Sequence, residues 1–150
     1  MPTIQHSRVF PASRAQVFQF LFLEEAWERG IPPEFDSEQI EIGPPREKSI
    51  LKWRLTRFGL SFDWAVSIDY FKKNESVIIS QKIGLFEEWT LTQTLLEHSE
   101  KECKLIDTLE YKMPLGLLGV LSDDLFLRRE WRRLLESRHK KIDELLESFL

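Results

Sequence analysis

A single cysteine, Cys103, removes two possibilities at once. No intramolecular disulfide can form, and no thiolate cluster can hold zinc. Its neighbours Lys101, Glu102 and Lys104 place it in an exposed turn or at a strand start. The three histidines, His6, His98 and His139, lie far apart in sequence without metal-ligand spacing, so no metal site is expected. His98 falls in a turn and His139 beside the apolar stripe of a helix, both reading as ordinary surface groups. The chain has no Gly-x-Ser-x-Gly elbow, phosphate-binding loop or dinucleotide glycine fingerprint, and no cofactor is implied. Gly116-Leu-Leu-Gly119 lacks the third glycine and the lysine, and reads as a turn.

Basic charge is also in short supply. Twenty-five acidic residues against 21 lysines and arginines leave a net charge of −4. A general nucleic-acid binder needs a basic face for its phosphate contacts, so no nucleic-acid partner is expected. No uncharged apolar run approaches about 18 residues, so no membrane span is expected. Met-Pro-Thr-Ile-Gln-His at the start has no basic stretch before an apolar run. A secretory leader is therefore not expected, and the expected location is cytoplasmic. Without a repeat, a low-complexity tract or a linker, 150 residues fit one domain over 1–150. Five tryptophans and eleven phenylalanines make the apolar part bulky, which suits a wide sheet packed on a helix or around a cavity.

The pattern that is present is orderly. Residues 3–10 alternate as an opening strand and end at Pro11. Ser13-Arg-Ala-Gln16 is a capping box leading into a short apolar helix with Val17, Phe18, Phe20, Leu21 and Phe22. A second short helix is expected over 24–29, stopped by Gly30 with Pro32 and Pro33 beyond. From Gln39 the period becomes two. Leu51, Trp53 and Leu55 share a face, as do Phe62, Trp64, Val66, Ile68 and Tyr70. Val77 to Ser80 follows, then Trp89, Leu91, Gln93 and Leu95, then Leu105, Asp107, Leu109, Tyr111 and Met113. Short turns join these runs into an antiparallel meander covered on one side. The cover is a C-terminal helix of roughly 28 residues, about 40 Å long. Its stripe is Leu127, Trp131, Leu134, Arg138, Ile142, Leu145 and Phe149, widened by Leu121, Leu125 and Leu135. The fold class is α+β. A curved antiparallel sheet of about seven strands wraps a long C-terminal helix, with two short helices after the first strand, which is a helix-grip order.

Several stretches carry a family resemblance. Pro32-Pro33, Phe86-Glu-Glu-Trp89, Asp107-Thr-Leu-Glu-Tyr111-Lys-Met-Pro114-Leu-Gly116-Leu-Leu-Gly119 and the late Arg138 resemble the bacterial START-like (SRPBCC) ligand-binding and polyketide cyclase/dehydrase superfamily. The resemblance runs over nearly the whole chain and specifies fold more than chemistry. It implies a cavity between the concave sheet and the long helix, open near the short helices and turns. Two positions depart from the pattern. Ser137 stands where an aromatic residue usually precedes the arginine, and Leu91 where a histidine often follows the tryptophan by two.

Asp107 and Tyr111 lie on one strand face that is otherwise apolar, and Arg138 interrupts the helix stripe in the same way. A buried carboxylate must be paired, hydrogen-bonded or neutral. Pairing with Arg138 through a bidentate contact is the simplest solution, fixing the helix register with Tyr111 bonded nearby. In the functional alternative, Arg138 or Tyr111 anchors the polar end of an apolar ligand. Trp53, Trp64 and Trp89 read as core or cavity wall. Gln81 and Gln93 are inward polar groups that bond backbone or water. The expected ligand cavity is therefore lined by Trp53, Trp64, Val66, Ile68, Ile79, Gln81, Trp89, Leu91, Gln93, Asp107, Leu109, Tyr111, Trp131, Leu134 and Arg138. The helix's arginines and lysines alternate with acids as a solvated, paired face; a weak membrane-surface contact is the sharper alternative. Three functions follow. The first is a binding or carrier protein for a hydrophobic small molecule such as a lipid, quinone or aromatic metabolite. The second is a cyclase- or dehydratase-like enzyme using Asp107, Tyr111 and Arg138, which requires Asp107 free of Arg138. The third is a protein-interaction domain with a filled interior, favoured by a cavity below about 300 Å³.

Overall fold

The computed structural model describes residues 3–21, 36–41, 49–57, 59–84, 86–112 and 124–149. The expected second short helix, Pro32-Pro33 and the Pro114 to Gly119 break lie outside them, as do Phe22, Met113 and Leu121. The side chains of Phe62, Leu125, Leu127 and Phe149 lie outside them too.

Seven strands form one antiparallel sheet. They are β1 (Thr3–Phe10), β2 (Asp36–Glu41), β3 (Ile50–Arg57), β4 (Leu60–Lys72), β5 (Ser76–Ile83), β6 (Glu88–Ser99) and β7 (Glu102–Lys112). Their spatial order is β1-β7-β6-β5-β4-β3-β2, a meander whose first strand returns to lie beside the last. Alternation decides the buried face. Trp89, Leu91, Gln93 and Leu95 of β6 are buried, each opposite a buried residue of β7: Tyr111, Leu109, Asp107 and Leu105. A one-residue slip would turn this whole set to solvent, so the pattern holds the register.

β4 departs from strict alternation. Tyr70, expected inward, is 43% exposed. A register shift between Ile68 and Tyr70 against β5 inserts an extra residue and reverses the phase. Phe71 turns inward instead and meets Phe18 with ring centroids 5.4 Å apart.

Phe18 belongs to α1 (Arg14–Phe18), whose start is the capping box read from the sequence. The Gln16 amide N–H donates to Ser13 Oγ at 3.3 Å, and the Ser13 N–H donates to Gln16 Oε1 at 2.8 Å. The long helix is α2 (Asp124–Phe149), 26 residues. Its buried line is Leu135, Arg138, His139, Ile142 and Leu146, while Leu134 and Leu145 lie half-buried at the margin. The line is rotated from the expected stripe because α2 comes closest to β1. An Arg8–Asp143 ion pair at 2.8 Å helps fasten the two. On the outer face Arg133 pairs with Glu130 at 3.0 Å and Lys141 with Glu144 at 3.9 Å.

Of the two expected places for Cys103, the strand start holds and the exposure does not. It lies within β7 opposite Phe10 and is fully buried, because the β7 alternation outweighs its charged neighbours. Burial pushes its thiol pKa up to about 11. Iodoacetamide at pH 8 is expected to leave the native thiol unmodified over hours and to alkylate it fully in urea. Rapid native labelling would contradict this placement.

Candidate functional site

Two zones adjoin on the inner face of the sheet, one polar and one aromatic. The polar zone is centred on Asp107, which is fully buried. Gln93 Nε2 donates to its Oδ1 at 3.2 Å from the neighbouring strand. His139 Nε2 lies 2.9 Å from its Oδ2. An ionised carboxylate only accepts, so this ring nitrogen carries the proton. Arg138 Nη1 stands 3.8 Å from the same Oδ2, and Arg138 Nη2 donates to the Leu21 carbonyl at 3.3 Å. Burial acts to raise the Asp107 pKa. The His139 hydrogen bond, His139 and Arg138 electrostatics and the Gln93 amide outweigh it and hold the carboxyl below its ordinary value.

Two expectations need correction here. Arg138 and Asp107 do pair, but not in a bidentate contact, because His139 occupies the short contact on Oδ2. His139 itself is no surface group: it is 0% exposed. His6 is not remote from it either, since β1 brings the two rings to 4.8 Å between centroids. His139 lies four residues after Leu135 and three before Ile142, a helical spacing that marks it as inward. Among the described residues, no group of three metal-ligating side chains occurs.

His6 carries a pH consequence. Burial first, then the His139 ring and more weakly Arg8, lower its pKa below 6.5, against opposing pulls from Glu136 and Asp107. The folded state thus binds this proton less readily than the unfolded chain. The His6 contribution to stability is complete above pH 6.5 and is lost as pH falls through the lowered value. Urea unfolding is expected to give a smaller stability loss between about pH 7.5 and 5.5 for His6→Gln than for the wild type. Equal losses would contradict this.

The aromatic zone is a chain of rings. Trp53 lies 5.3 Å from Trp64, and Trp64 meets Trp89 edge-on at 5.3 Å. β5 lies between the strands carrying Trp64 and Trp89, so this contact reflects the inward curl of the sheet. Trp131 of α2 closes the circuit at 6.2 Å from Trp89, 6.3 Å from Tyr111 and 5.6 Å from Phe86. Between sheet and helix remains a gap of about 20 Å³. Among the described residues, Trp64, Trp89, Leu91, Leu109, Trp131, Leu134 and Leu135 wall it, with Arg138 the one that is charged. That volume admits a water and is far below the roughly 300–1,000 Å³ of a drug-sized pocket. The indole Nε1 atoms of Trp89 and Trp131 are buried and have no hydrogen-bond partner among the described residues.

Of the expected lining, Trp64, Trp89, Leu91, Leu109, Trp131, Leu134 and Arg138 meet at this gap. Trp53 backs Trp64, while Val66, Ile68 and Ile79 are buried in the core. Gln93 and Asp107 form the polar zone. Gln81 turns to the Phe86 backbone, and Tyr111 flanks Trp131 through its ring, four residues along β7 from Asp107. Leu135 and Phe86 are additions. Phe86 lies in a turn, where no periodicity marks a side chain as inward. A larger hollow of about 530 Å³ lies at the other end of β6. Charged and polar side chains line it, including Arg14, Glu97, His98 and Glu102.

No family profile and no curated protein matches the chain. Solved structures do. TTHA0849 from Thermus thermophilus is 18% identical, with 94% of this chain and 97% of that one covered and a TM-score of 0.66. Norcoclaurine synthase from Thalictrum flavum, solved with dopamine and hydroxybenzaldehyde, is 13% identical, with 98% and 87% covered and a TM-score of 0.68. Ara h 8.0201 is 13% identical, with 94% and 97% covered and a TM-score of 0.62. At such identities the likeness speaks for architecture. The chain shares with these structures a helix-grip fold, a curved antiparallel sheet and a long C-terminal helix.

Proposed function

We propose that this protein binds a small hydrophobic molecule carrying a hydrogen-bond acceptor, as a carrier or binding protein and not as an enzyme. The observation that carries the reading is the pair of buried indole N–H donors on Trp89 and Trp131, beside a gap walled by apolar side chains. A buried donor without an acceptor costs about 1–3 kcal/mol. A carbonyl, ether or phenolic oxygen on an otherwise apolar guest removes that cost while its rings or chain bury apolar area. Quinones, aromatic metabolites and lipids fit this description. The aromatic, oxygen-bearing molecules held by the Thalictrum enzyme in the same fold lend support. Since the gap holds about 20 Å³, binding must separate Trp131 from the sheet rings. The enzymatic alternative draws no support from Asp107, both of whose oxygens are occupied.

The test is a titration with 1-anilinonaphthalene-8-sulfonate, an aromatic probe with acceptor oxygens, followed by quenching of tryptophan emission. Saturation at one probe per chain is expected. Trp89→Phe and Trp131→Phe, which keep a ring but remove the donor, should each weaken binding about fivefold, one ordinary hydrogen bond. Absence of saturable quenching by the folded protein would leave the filled interior and the protein-interaction reading.

A further inference from the structure

Beyond Ser80 and Thr90 the sheet divides, because pairing between β5 and β6 ends there. β5 continues on β4, with Gln81 opposite Val66 and Ile83 opposite Ala65. β6 begins on β7, with Glu88 opposite Lys112 and Trp89 opposite Tyr111. In place of the missing ladder stands one side chain. Gln81 Nε2 donates to the Phe86 carbonyl at 2.7 Å, and the Phe86 N–H approaches Gln81 Oε1 at 3.5 Å. A primary amide offers the donor and acceptor of a peptide group, so Gln81 substitutes for a ladder partner. The fit is close: a Cβ on Gly84 would run into the Gln81 amide and the Trp64 ring.

This clasp sets the Phe86 ring against Tyr111, at 5.9 Å and 68°, and against Trp131, at 5.6 Å and 51°. Both are tilted arrangements favoured between aromatic rings. Trp131 is also a wall of the gap, so the Phe86 ring packs on a residue of the candidate site. The ring is held by its own contacts; the Phe86 carbonyl and N–H both meet the Gln81 amide, while the N–H of the next residue, Glu87, donates to the Lys112 carbonyl at 2.9 Å.

We infer that Phe86 is a resident plug: its phenyl ring occupies the seat of a ligand's aromatic ring and leaves when the Gln81 clasp opens. This rests on the small-molecule reading above and narrows it to guests that carry a benzene-type ring. Gln81 is then a positioning residue that sets how readily the seat is vacated.

Stopped-flow mixing with 1-anilinonaphthalene-8-sulfonate tests the inference on wild type, Phe86→Ala and Gln81→Ala. Phe86→Ala is expected to take up the probe about tenfold faster, since one aromatic ring pair holds a ring in place by up to about a factor of ten, and Gln81→Ala about fivefold faster, the worth of one ordinary hydrogen bond. Toluene, which is the Phe86 side chain as a free molecule, is expected to raise the melting temperature of Phe86→Ala and leave the wild type unchanged. If wild type binds the probe and both variants bind it at the wild-type rate, the plug is wrong while the binding reading stands. Toluene without effect on a folded Phe86→Ala would overturn the plug as well. If none of the three binds, the binding reading itself has failed. Gln81→Ala alters no ring and supplies the rate comparison should Phe86→Ala not fold.

Discussion

Asp107→Ala is expected to lower the unfolding free energy by about 3–5 kcal/mol in urea melts, the usual cost of removing one partner from a buried charged group. Asp107 is 0% exposed, Arg138 2% and His139 0%, so bulk water does not reach the partners of the lost carboxylate. Its removal strands a guanidinium, an imidazole N–H and the Gln93 amide in a medium that solvates none of them. Asp107→Asn retains one acceptor and should lie between wild type and alanine. Arg138→Leu added to Asp107→Ala should recover part of the loss, because removing both members of a buried pair is gentler than removing one. A cost below about 1 kcal/mol for Asp107→Ala would mean that this cluster does not hold α2 against β7.

Leu109→Ala is the second large effect. Leu109 is fully buried and walls the gap, and Leu→Ala at such sites costs about 2–5 kcal/mol. The loss comes with added hollow space. An enlarged apolar cavity stays dry and accepts apolar solutes. Leu109→Ala should therefore regain melting temperature when toluene is added, by binding linkage to the folded state. Leu105→Ala is the control: Leu105 is equally buried on the same face of β7 but does not wall the gap. It should lose comparable stability and regain little. Equal recovery in both would show that the hollow is not specific to this place.

The acid sensitivity from His6 and these two losses trace back to features of differing legibility. The alternation of Leu105, Asp107, Leu109 and Tyr111 is visible in the chain because β7 runs through these positions without a bulge to disturb a period of two. β4 is disturbed, and Tyr70 with Phe71 exchange faces there for a reason that depends on pairing with β5. The long helix is evident as an amphipathic run, but its rotation depends on where β1 lies, a contact more than about a hundred residues away in sequence. That rotation buries His139 and places it between Asp107 and His6. The tryptophans are readable as inward-facing. How closely they fold onto one another is not, because ring-to-ring distances follow from sheet curvature and from Trp131 reaching across from α2. Phe86 and its clasp are hidden for a simpler reason: a side chain replacing a strand ladder leaves no periodic trace.

The most direct measurement is a two-dimensional ¹⁵N NMR titration of the tryptophan indole N–H signals with 1-anilinonaphthalene-8-sulfonate. The Trp89 and Trp131 signals are expected to move together, saturably and with one dissociation constant, in the direction produced by a newly gained acceptor. If those two signals stay fixed while the probe binds elsewhere, or if no indole signal responds at millimolar probe, the space between α2 and the sheet is not a binding site.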